Sequence, residues 1–139
     1  MHIDAFICDA ITMREGLLHV LGGGITTLTR SEFPTPLAIS LAAVLTAEAP
    51  GTYEVSVTIK REGSDEEVFK VDGPIRAIGG GTTVEDGVVV PFPVGFIGTR
   101  IPAPGKYLID IAVNGQSLRT LWFRVREPSS AGLSGPAQP

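Results

Sequence analysis

The clearest pattern along the chain is a strict alternation of apolar and polar residues from Tyr53 to Lys60. Tyr53, Val55, Val57 and Ile59 occupy one set of positions, and glutamate, serine, threonine and lysine occupy the other. Successive side chains of a strand point to opposite faces of a sheet. A period of two therefore predicts a strand with one buried face.

Two hairpins are predicted around similar segments. A polar turn at 62–66 and a strand at 68–71 follow the first segment, and Asp72-Gly73-Pro74 is expected to end that strand. A second alternating segment, 107–113, precedes Asn114-Gly115, the dipeptide most typical of tight hairpin turns. The returning strand is expected at 117–126, with Leu121, Phe123 and Val125 facing inward.

The N-terminal stretch from Asp4 to Leu28 is predicted to form one long hairpin that closes at Arg14-Glu15-Gly16. Its second arm is interrupted by three glycines, which in a strand usually mark a bulge, a bend or a close approach of another part of the chain. The arm is expected to bend there and continue. The structural glycines are Gly22, Gly23 and Gly24.

A second glycine triplet repeats this feature later in the chain. It consists of Gly79, Gly80 and Gly81, followed like the first by threonines. The two triplets are interpreted either as traces of an internal duplication or as unrelated turns and bulges. Nucleotide binding is not expected, because phosphate-binding glycine motifs open a helix and neither triplet precedes a helical pattern.

The segment 37–46 is nearly all apolar and is predicted to be a strand, with a helix as the alternative. One face carries leucine, isoleucine and alanine. The opposite face carries only small or uncharged residues: Ala38, Ser40, Ala42 and Val44. Because exposed faces of antiparallel sheets usually carry polar side chains, this face is expected to be covered. The cover is a second subunit, a different protein or another part of the chain such as residues 74–86, and the small side chains favour a partner sheet.

The segment 88–97 is predicted to be an edge strand. Pro91 and Pro93 share one of its faces and remove two neighbouring amide donors from the same edge of the strand. Such an edge cannot pair fully with another strand, which protects the sheet against aggregation.

The motif D-A-F-I-C-D-A, followed by G-x-L-x-V-L-G-G-G and then Phe33-Pro34, resembles a family of small bacterial proteins known only as a domain of unknown function. The resemblance covers most of residues 3–126. It implies a β-sandwich similar to immunoglobulin-like or C2-like domains, and it transfers no catalytic residue. Together with the strand pattern, it predicts an all-β fold: a single antiparallel β-sandwich of about seven to nine strands.

Length and composition give a domain at 1–126 and a flexible tail rich in Pro, Gly and Ser at 127–139. A net charge of −4 argues against nucleic acid as a partner. The single Cys8 fits a reducing compartment. An acidic residue at position 4 and the lack of any long apolar run argue against a signal peptide or a membrane span. The sequence therefore predicts a cytoplasmic protein.

Candidate catalytic and metal-binding residues are few. His2 and His19 lack the neighbouring ligands that zinc requires. Cys8 lies in an apolar strand with no activating group. Asp4 and Asp9 are five residues apart, which places them on opposite faces of a regular strand. No catalytic, cofactor or metal residue is assigned, and the protein is not expected to be an enzyme.

Two acidic turns leave calcium as an alternative, because Ca²⁺ binds where several carboxylates converge from loops. The first turn contains Asp65, Glu66 and Glu67, and the second contains Glu85 and Asp86. Solvated surface turns are the simpler interpretation.

Two aromatic residues have distinct predicted roles, one structural and one in binding. Tyr107 follows Pro-Gly at the start of a strand and resembles the tyrosine corner of immunoglobulin-like sandwiches. Trp122 is expected to face outward beside Arg124, a composition typical of binding hot spots, unless a loop or the tail covers it.

The predicted function is a non-enzymatic protein-interaction or scaffold module that binds a protein partner or itself as a homo-oligomer. The alternatives are a ligand- or calcium-binding sandwich and a phage or virion structural component.

Overall fold

The computed structural model describes residues 1–78 and 87–129, and every regular element in them is a β-strand. The predicted all-β fold is therefore confirmed. In chain order the strands are β1 (His2–Arg14), β2 (Leu17–Gly23), β3 (Thr27–Thr29), β4 (Thr35–Pro36), β5 (Ser40–Ala47), β6 (Gly51–Arg61), β7 (Glu67–Ala77), β8 (Val88–Gly95), β9 (Arg100–Ile101), β10 (Gly105–Val113) and β11 (Gln116–Arg126).

Two main sheets form a sandwich. One has four strands in the order β2-β1-β5-β8, and the other has five in the order β3-β11-β10-β6-β7. β4 and β9 form a separate two-residue pair. The strand pairs are antiparallel except β3 and β11, which are parallel. The predicted antiparallel arrangement thus has one parallel exception, and the closer assignment to an immunoglobulin-like or C2-like fold stays a prediction.

The core lies between the two sheets. The alternating segments point their apolar positions inward, so Val57 and Ile59 of β6 and Ile109 and Ile111 of β10 are 0–1% exposed. They pack with residues of the four-stranded sheet such as Leu41 in one continuous cluster. Fully burying one such side chain contributes about 1.5–3 kcal/mol, so this interface dominates the stability of the fold.

All three predicted hairpins are confirmed, and two of them close in tight two-residue turns; the third joins β6 to β7. Glu15 and Gly16 have φ values of 54° and 75°, and Asn114 and Gly115 have 50° and 83°. Positive φ at both central residues is the signature of the two-residue turn whose twist matches that of paired strands. β1 therefore pairs with β2, and β10 pairs with β11.

The second arm of the N-terminal hairpin bends as predicted, but it continues in the other sheet. The amides of Gly24 and Ile25 both donate to the carbonyl of Ile7, at 2.8 and 3.1 Å. Thr26 then accepts a hydrogen bond from the amide of Arg124 at 2.8 Å, which starts the pairing of β3 with β11. Gly22 and Gly24 have φ of 64° and 91°, so the glycines supply the backbone angles of this crossing.

Two predicted strand boundaries are wrong. The strand expected at 37–46 begins only at Ser40, although Leu37 and Ile39 are buried. The strand expected to end at Asp72-Gly73-Pro74 continues as β7 to Ala77. Among residues 1–78 and 87–129, β7 is the last strand of its sheet and its outer edge has no strand partner, so the missing amide of Pro74 interrupts no ladder there.

The predicted edge strand is confirmed as β8, which within the described part of the chain pairs only with β5. Pro91 and Pro93 lie opposite Val44 and Ala42, and the pairing continues past both prolines. Their nitrogens must therefore face the outer edge, where they remove the donors that another strand would need.

The predicted tyrosine corner is present at Tyr107, whose hydroxyl donates to the carbonyl of Ala103 at 2.6 Å. Tyr53 makes the same bond to Ala49, also at 2.6 Å. Both tyrosines end the sequence A-P-G-x-Y. This repeated motif anchors the starts of β6 and β10, which are neighbours in the same sheet.

Candidate functional site

The side of the sandwich where the chain crosses between sheets contains an open groove of about 280 Å³. One wall is β1 at Ala5 to Ile7, and the other is β11 at Arg119 to Trp122. The crossing itself, residues 24–26, lies between them. We call this feature the side groove.

Two exposed aromatic side chains line the side groove on opposite walls. Phe6 is 43% exposed and Trp122 is 47% exposed. The ring of Phe6 lies so close to Gly23 that a Cβ atom at that glycine would be 2.7 Å from Cε2 of the ring. Large, partly exposed aromatic groups are typical of binding surfaces rather than of ordinary sandwich walls.

Trp122 is held from its other side by Lys106. The Nζ atom of Lys106 lies 5.4 Å from the centre of the indole ring, within the range of a cation–π contact. The same ammonium lies 3.4 Å from a carboxylate oxygen of Glu62. These contacts favour the orientation in which the tryptophan lines the groove.

Part of β11 along the side groove is an unpaired edge. β3 covers only Arg124 to Arg126 of this strand. Since the amide of Arg124 points toward β3, the alternation of a strand directs the backbone groups of Trp122 and Thr120 toward the same edge. Among the described residues these groups have no backbone partner.

The side groove is locally basic although the protein carries a net charge of −4. β11 contains Arg119, Arg124 and Arg126, all exposed, and no acidic residue. None of the three forms an ion pair within the part of the chain that the structure describes. The nearest carboxylate on the neighbouring strand, Asp110, accepts hydrogen bonds from the hydroxyls of Ser117 and Thr120.

A second depression lies on the outer face of the five-stranded sheet and measures about 370 Å³. Its charged lining residues carry both signs: Lys60, Arg61, Glu62, Glu67 and Asp110. Such mixed charges select no ligand class, so the side groove is the better defined site.

The predicted interface face lies elsewhere, on the outer side of the four-stranded sheet. Ala38 is exposed, and Ser40 and Val44 are half-buried. Ala42 is only 2% exposed, because it lies between Phe6 of β1 and Pro93 of β8 in the sheet register. The structure brings this face together with Phe6, but not with Trp122 and Arg124.

Cys8 is fully buried, with its Sγ donating to the carbonyl of Ser40 at 3.5 Å. Burial raises the pKa of the thiol above its usual value, and the negative charge of Asp9 adds to this shift. In the sheet register Cys8 faces Gly23 and Ser40, whereas His19 faces Thr12. In this register neither strand neighbour of Cys8 is a histidine that could act as a general base and take the proton of the thiol.

The remaining candidate residues form no cluster. Within residues 1–78 and 87–129, no three His, Cys, Asp or Glu side chains are placed to hold a metal ion. His2 lies 3.2 Å from Asp4 at the exposed start of β1. Glu85, Asp86 and the triplet Gly79 to Gly81 lie outside the described residues, so the calcium alternative and the duplication stay predictions.

No helix that could cross a membrane occurs in the part of the chain that the structure describes.

Sequence reasoning identified Trp122 and Arg124 but missed Phe6 and Arg119. Phe6 shares a strand face with Asp4, opposite the buried Ile3 and Ile7. A large aromatic residue on the polar face of an amphipathic strand is the signal that identifies it. Arg119 has no such signal, because only the fold brings it next to β1.

One solved structure resembles the chain weakly. It is the alkylpurine DNA glycosylase AlkC of Pseudomonas fluorescens, bound to DNA containing an abasic site analog. The two share 15% identity with a TM-score of 0.36, over 88% of this chain and 30% of the glycosylase. This likeness is too weak to support a functional argument. No curated protein matches the chain. The family model described as "Family of unknown function (DUF6941)" matches residues 3–126, and the chain therefore belongs to this family.

Proposed function

We propose that the domain is a non-enzymatic protein-interaction module that binds a partner in the side groove. The observation that carries this proposal is the pair of exposed aromatic rings, Phe6 and Trp122, on the two walls of one concave site. Aromatic anchors beside arginine dominate the binding energy of protein interfaces, whereas isolated exposed apolar residues are ordinary.

The chemistry of the groove also favours binding over catalysis. Its lining residues are apolar, aromatic, glycine, threonine and a single arginine. None of these side chains is a general base or an activated nucleophile. Arg119 can orient an anionic group but cannot transfer a proton at ordinary pH.

The test is affinity capture from cells of the source organism, followed by reconstitution of the captured protein with the purified domain. Four forms of the domain are compared: wild type, Phe6→Ser, Trp122→Ser and the control Val89→Ser. Val89 is 60% exposed, and it lies on the far edge strand β8. Removing an aromatic anchor should weaken binding by about tenfold or more.

A partner that is retained by wild type and Val89→Ser, and lost by both groove variants, supports the proposal. A protein retained equally by all four forms does not use the groove. That result, or the absence of any partner that survives reconstitution, would overturn the proposal.

Self-association is a second candidate function, through the outer face of the four-stranded sheet. It is favoured by the row Phe6, Ala42 and Pro93, which crosses three strands without a charged side chain. β5 itself carries no charge from Ser40 to Ala47. An uncharged row of this kind on a sheet face is typical of surfaces that another chain covers.

A further inference from the structure

We infer that the occupant of the side groove is an extended acidic peptide segment, which adds a strand to the free edge of β11. This inference rests on the proposed function, and it names the partner by its chemistry and its mode of binding. Three features carry it: an unpaired backbone edge, an apolar floor and the positive charge of Arg119 in the groove, with Arg124 nearby on the same strand.

The unpaired edge supplies the backbone recognition. The amides and carbonyls of Thr120 and Trp122 face the groove side without a backbone partner in the described chain. They continue the ladder that β11 begins with β3 at Arg124. An extended peptide satisfies such groups with main-chain hydrogen bonds of its own, as in other cases of strand addition.

The apolar floor selects the side chains that point inward. Leu121 lies between Thr120 and Trp122 and is half-buried in the groove, together with Ala5 and Ile25. Because side chains alternate along a strand, every second residue of the added peptide would face this floor. The groove thus favours an apolar residue beside Leu121.

The arginines select the charge of the peptide. Arg119 lines the groove two residues before Leu121, on the same side of β11. A carboxylate two residues away from the apolar side chain would therefore lie beside the Arg119 guanidinium. Arg124 lies two residues after Trp122 and adds a further positive charge at the exposed surface. Opposite charges placed across an interface speed association and exclude partners of the wrong charge.

A second copy of this chain is a poor occupant. Pairing the free edge of β11 with that of another molecule would bring the two Arg119 side chains into the same interface, and β11 contains no carboxylate that could pair with them. Like charges close together across a strand pair destabilise it. The charge of β11 thus favours an acidic peptide over self-pairing.

The experiment uses the full-length protein and the acetylated, amidated heptapeptide DDVTVDD as the probe. In this peptide the two valines and the two terminal aspartates share one strand face. Binding is followed by NMR, with hydrogen exchange of the Thr120 and Trp122 amides as the direct readout of strand addition. Two control peptides are KKVTVKK and a form of DDVTVDD that is methylated at the backbone nitrogens of both valines and of the threonine, which blocks both edges of the extended peptide.

DDVTVDD should slow exchange of the two amides and shift the signals of the groove residues. The affinity of the lysine peptide should be lower by at least about tenfold, the scale of one lost charge-assisted hydrogen bond. The methylated peptide should not slow exchange at all. Arg119→Glu should weaken binding of DDVTVDD, whereas Arg76→Glu should not, because Arg76 lies on the opposite edge strand β7.

Unchanged exchange at Thr120 and Trp122 with DDVTVDD would overturn the inference, and so would equal binding of the methylated peptide. Equal binding of the lysine peptide would overturn the assigned charge. If a reconstituted partner depends on Phe6 and Trp122 while DDVTVDD fails, the inference fails and the proposed function stands. If DDVTVDD binds as expected but no partner is captured, the proposed function fails and the peptide site stands.

Discussion

The ring of Phe6 lies directly against Gly23, because a Cβ atom on the glycine would be 2.7 Å from Cε2 and 3.2 Å from Cδ2 of the ring. Gly23 does not have a positive φ, unlike its neighbours Gly22 and Gly24. Its requirement for glycine therefore comes from the close approach of a side chain, not from the backbone conformation. The absence of a side chain at Gly23 gives Phe6 its place at the side groove.

We expect Gly23→Val to lower the free energy of unfolding by about 1–3 kcal/mol, the scale of inserting side-chain atoms into a packed site. The valine must displace the Phe6 ring, so binding in the side groove should weaken as well. Urea denaturation measures the stability.

The matched control is Gly95→Val. Gly95 lies in the same row of the same sheet as Gly23, since Cys8 pairs with Gly23 and Ser40, and Ser40 pairs with Gly95. A Cβ atom at Gly95 would contact nothing within 4 Å. Gly95→Val should therefore be nearly neutral, and an equal loss in both variants would contradict the steric explanation.

The two tyrosine corners should differ in strength. Tyr107 is fully buried, whereas Tyr53 is half-buried. Tyr107→Phe leaves the Ala103 carbonyl without its partner in the interior and should cost about 1–3 kcal/mol. Tyr53→Phe should cost about 0.5–1 kcal/mol, since water can replace the lost bond. Denaturation of both variants under one set of conditions tests this order, and a larger loss at Tyr53 would refute it.

Stability should also fall at alkaline pH through Tyr107. Burial raises the pKa of its hydroxyl above the usual 10.0, although the charge of Arg61 opposes the shift. Because the folded protein holds this proton more tightly than the unfolded chain, the stabilisation is complete below pH 10 and is lost as the pH rises above it. Stability of Tyr107→Phe should decline less steeply with pH in this range. Parallel slopes for the two proteins would show that Tyr107 is not responsible.

Much of the fold could be predicted because local patterns decide it. The alternation from Tyr53 to Lys60 requires one face in the core, and Asn114-Gly115 adopts the backbone angles of a tight turn with little strain. The extension of β7 through Pro74 could not be predicted this way, since a proline is tolerated only if the strand lies at an edge. Edge position depends on the order of strands in the sheet, which local sequence does not determine.

The side groove was beyond prediction for the same reason. The alternation of side chains along a strand is enough to predict that Trp122 faces outward, because its neighbours Leu121 and Phe123 face inward. The meeting of Phe6 and Arg119 at one groove depends on the chain changing sheets at residues 24–26. The glycines predicted a bend there, but a bend does not specify which strand the chain pairs with next.

Cys8 should be unreactive in the folded protein. Its side chain is buried and its pKa is raised by burial and by Asp9, so little thiolate is present or accessible. Modification by DTNB should be roughly a hundredfold or more slower than that of an exposed thiol, because it requires local opening. The control is Thr12→Cys in a Cys8→Ser background, since Thr12 is exposed on the same strand. Equal rates for the two thiols would contradict the structure.

The last prediction concerns self-association through the outer face of the four-stranded sheet. Ala42→Arg is a poor probe, because Ala42 lies between Phe6 and Pro93 and a large side chain there should itself destabilise the monomer. Val44 is a better one, since it is half-buried in the neighbouring row beside Asp4 and Pro91. If another copy covers this face, the long charged side chain of Val44→Lys would have to be buried against that copy, which is costly even with Asp4 beside it.

Sedimentation velocity of the wild type should show an oligomer, and Val44→Lys should sediment as a monomer with an unchanged circular dichroism spectrum. The control is Ser56→Lys, because Ser56 is also half-buried but belongs to β6 in the opposite sheet. It should leave the oligomer intact. A monomeric wild type, or equal dissociation by both lysines, would show that this uncharged face does not mediate self-association. In that case only the side groove, with Phe6 and Trp122 on its two walls, remains as the proposed protein-binding surface.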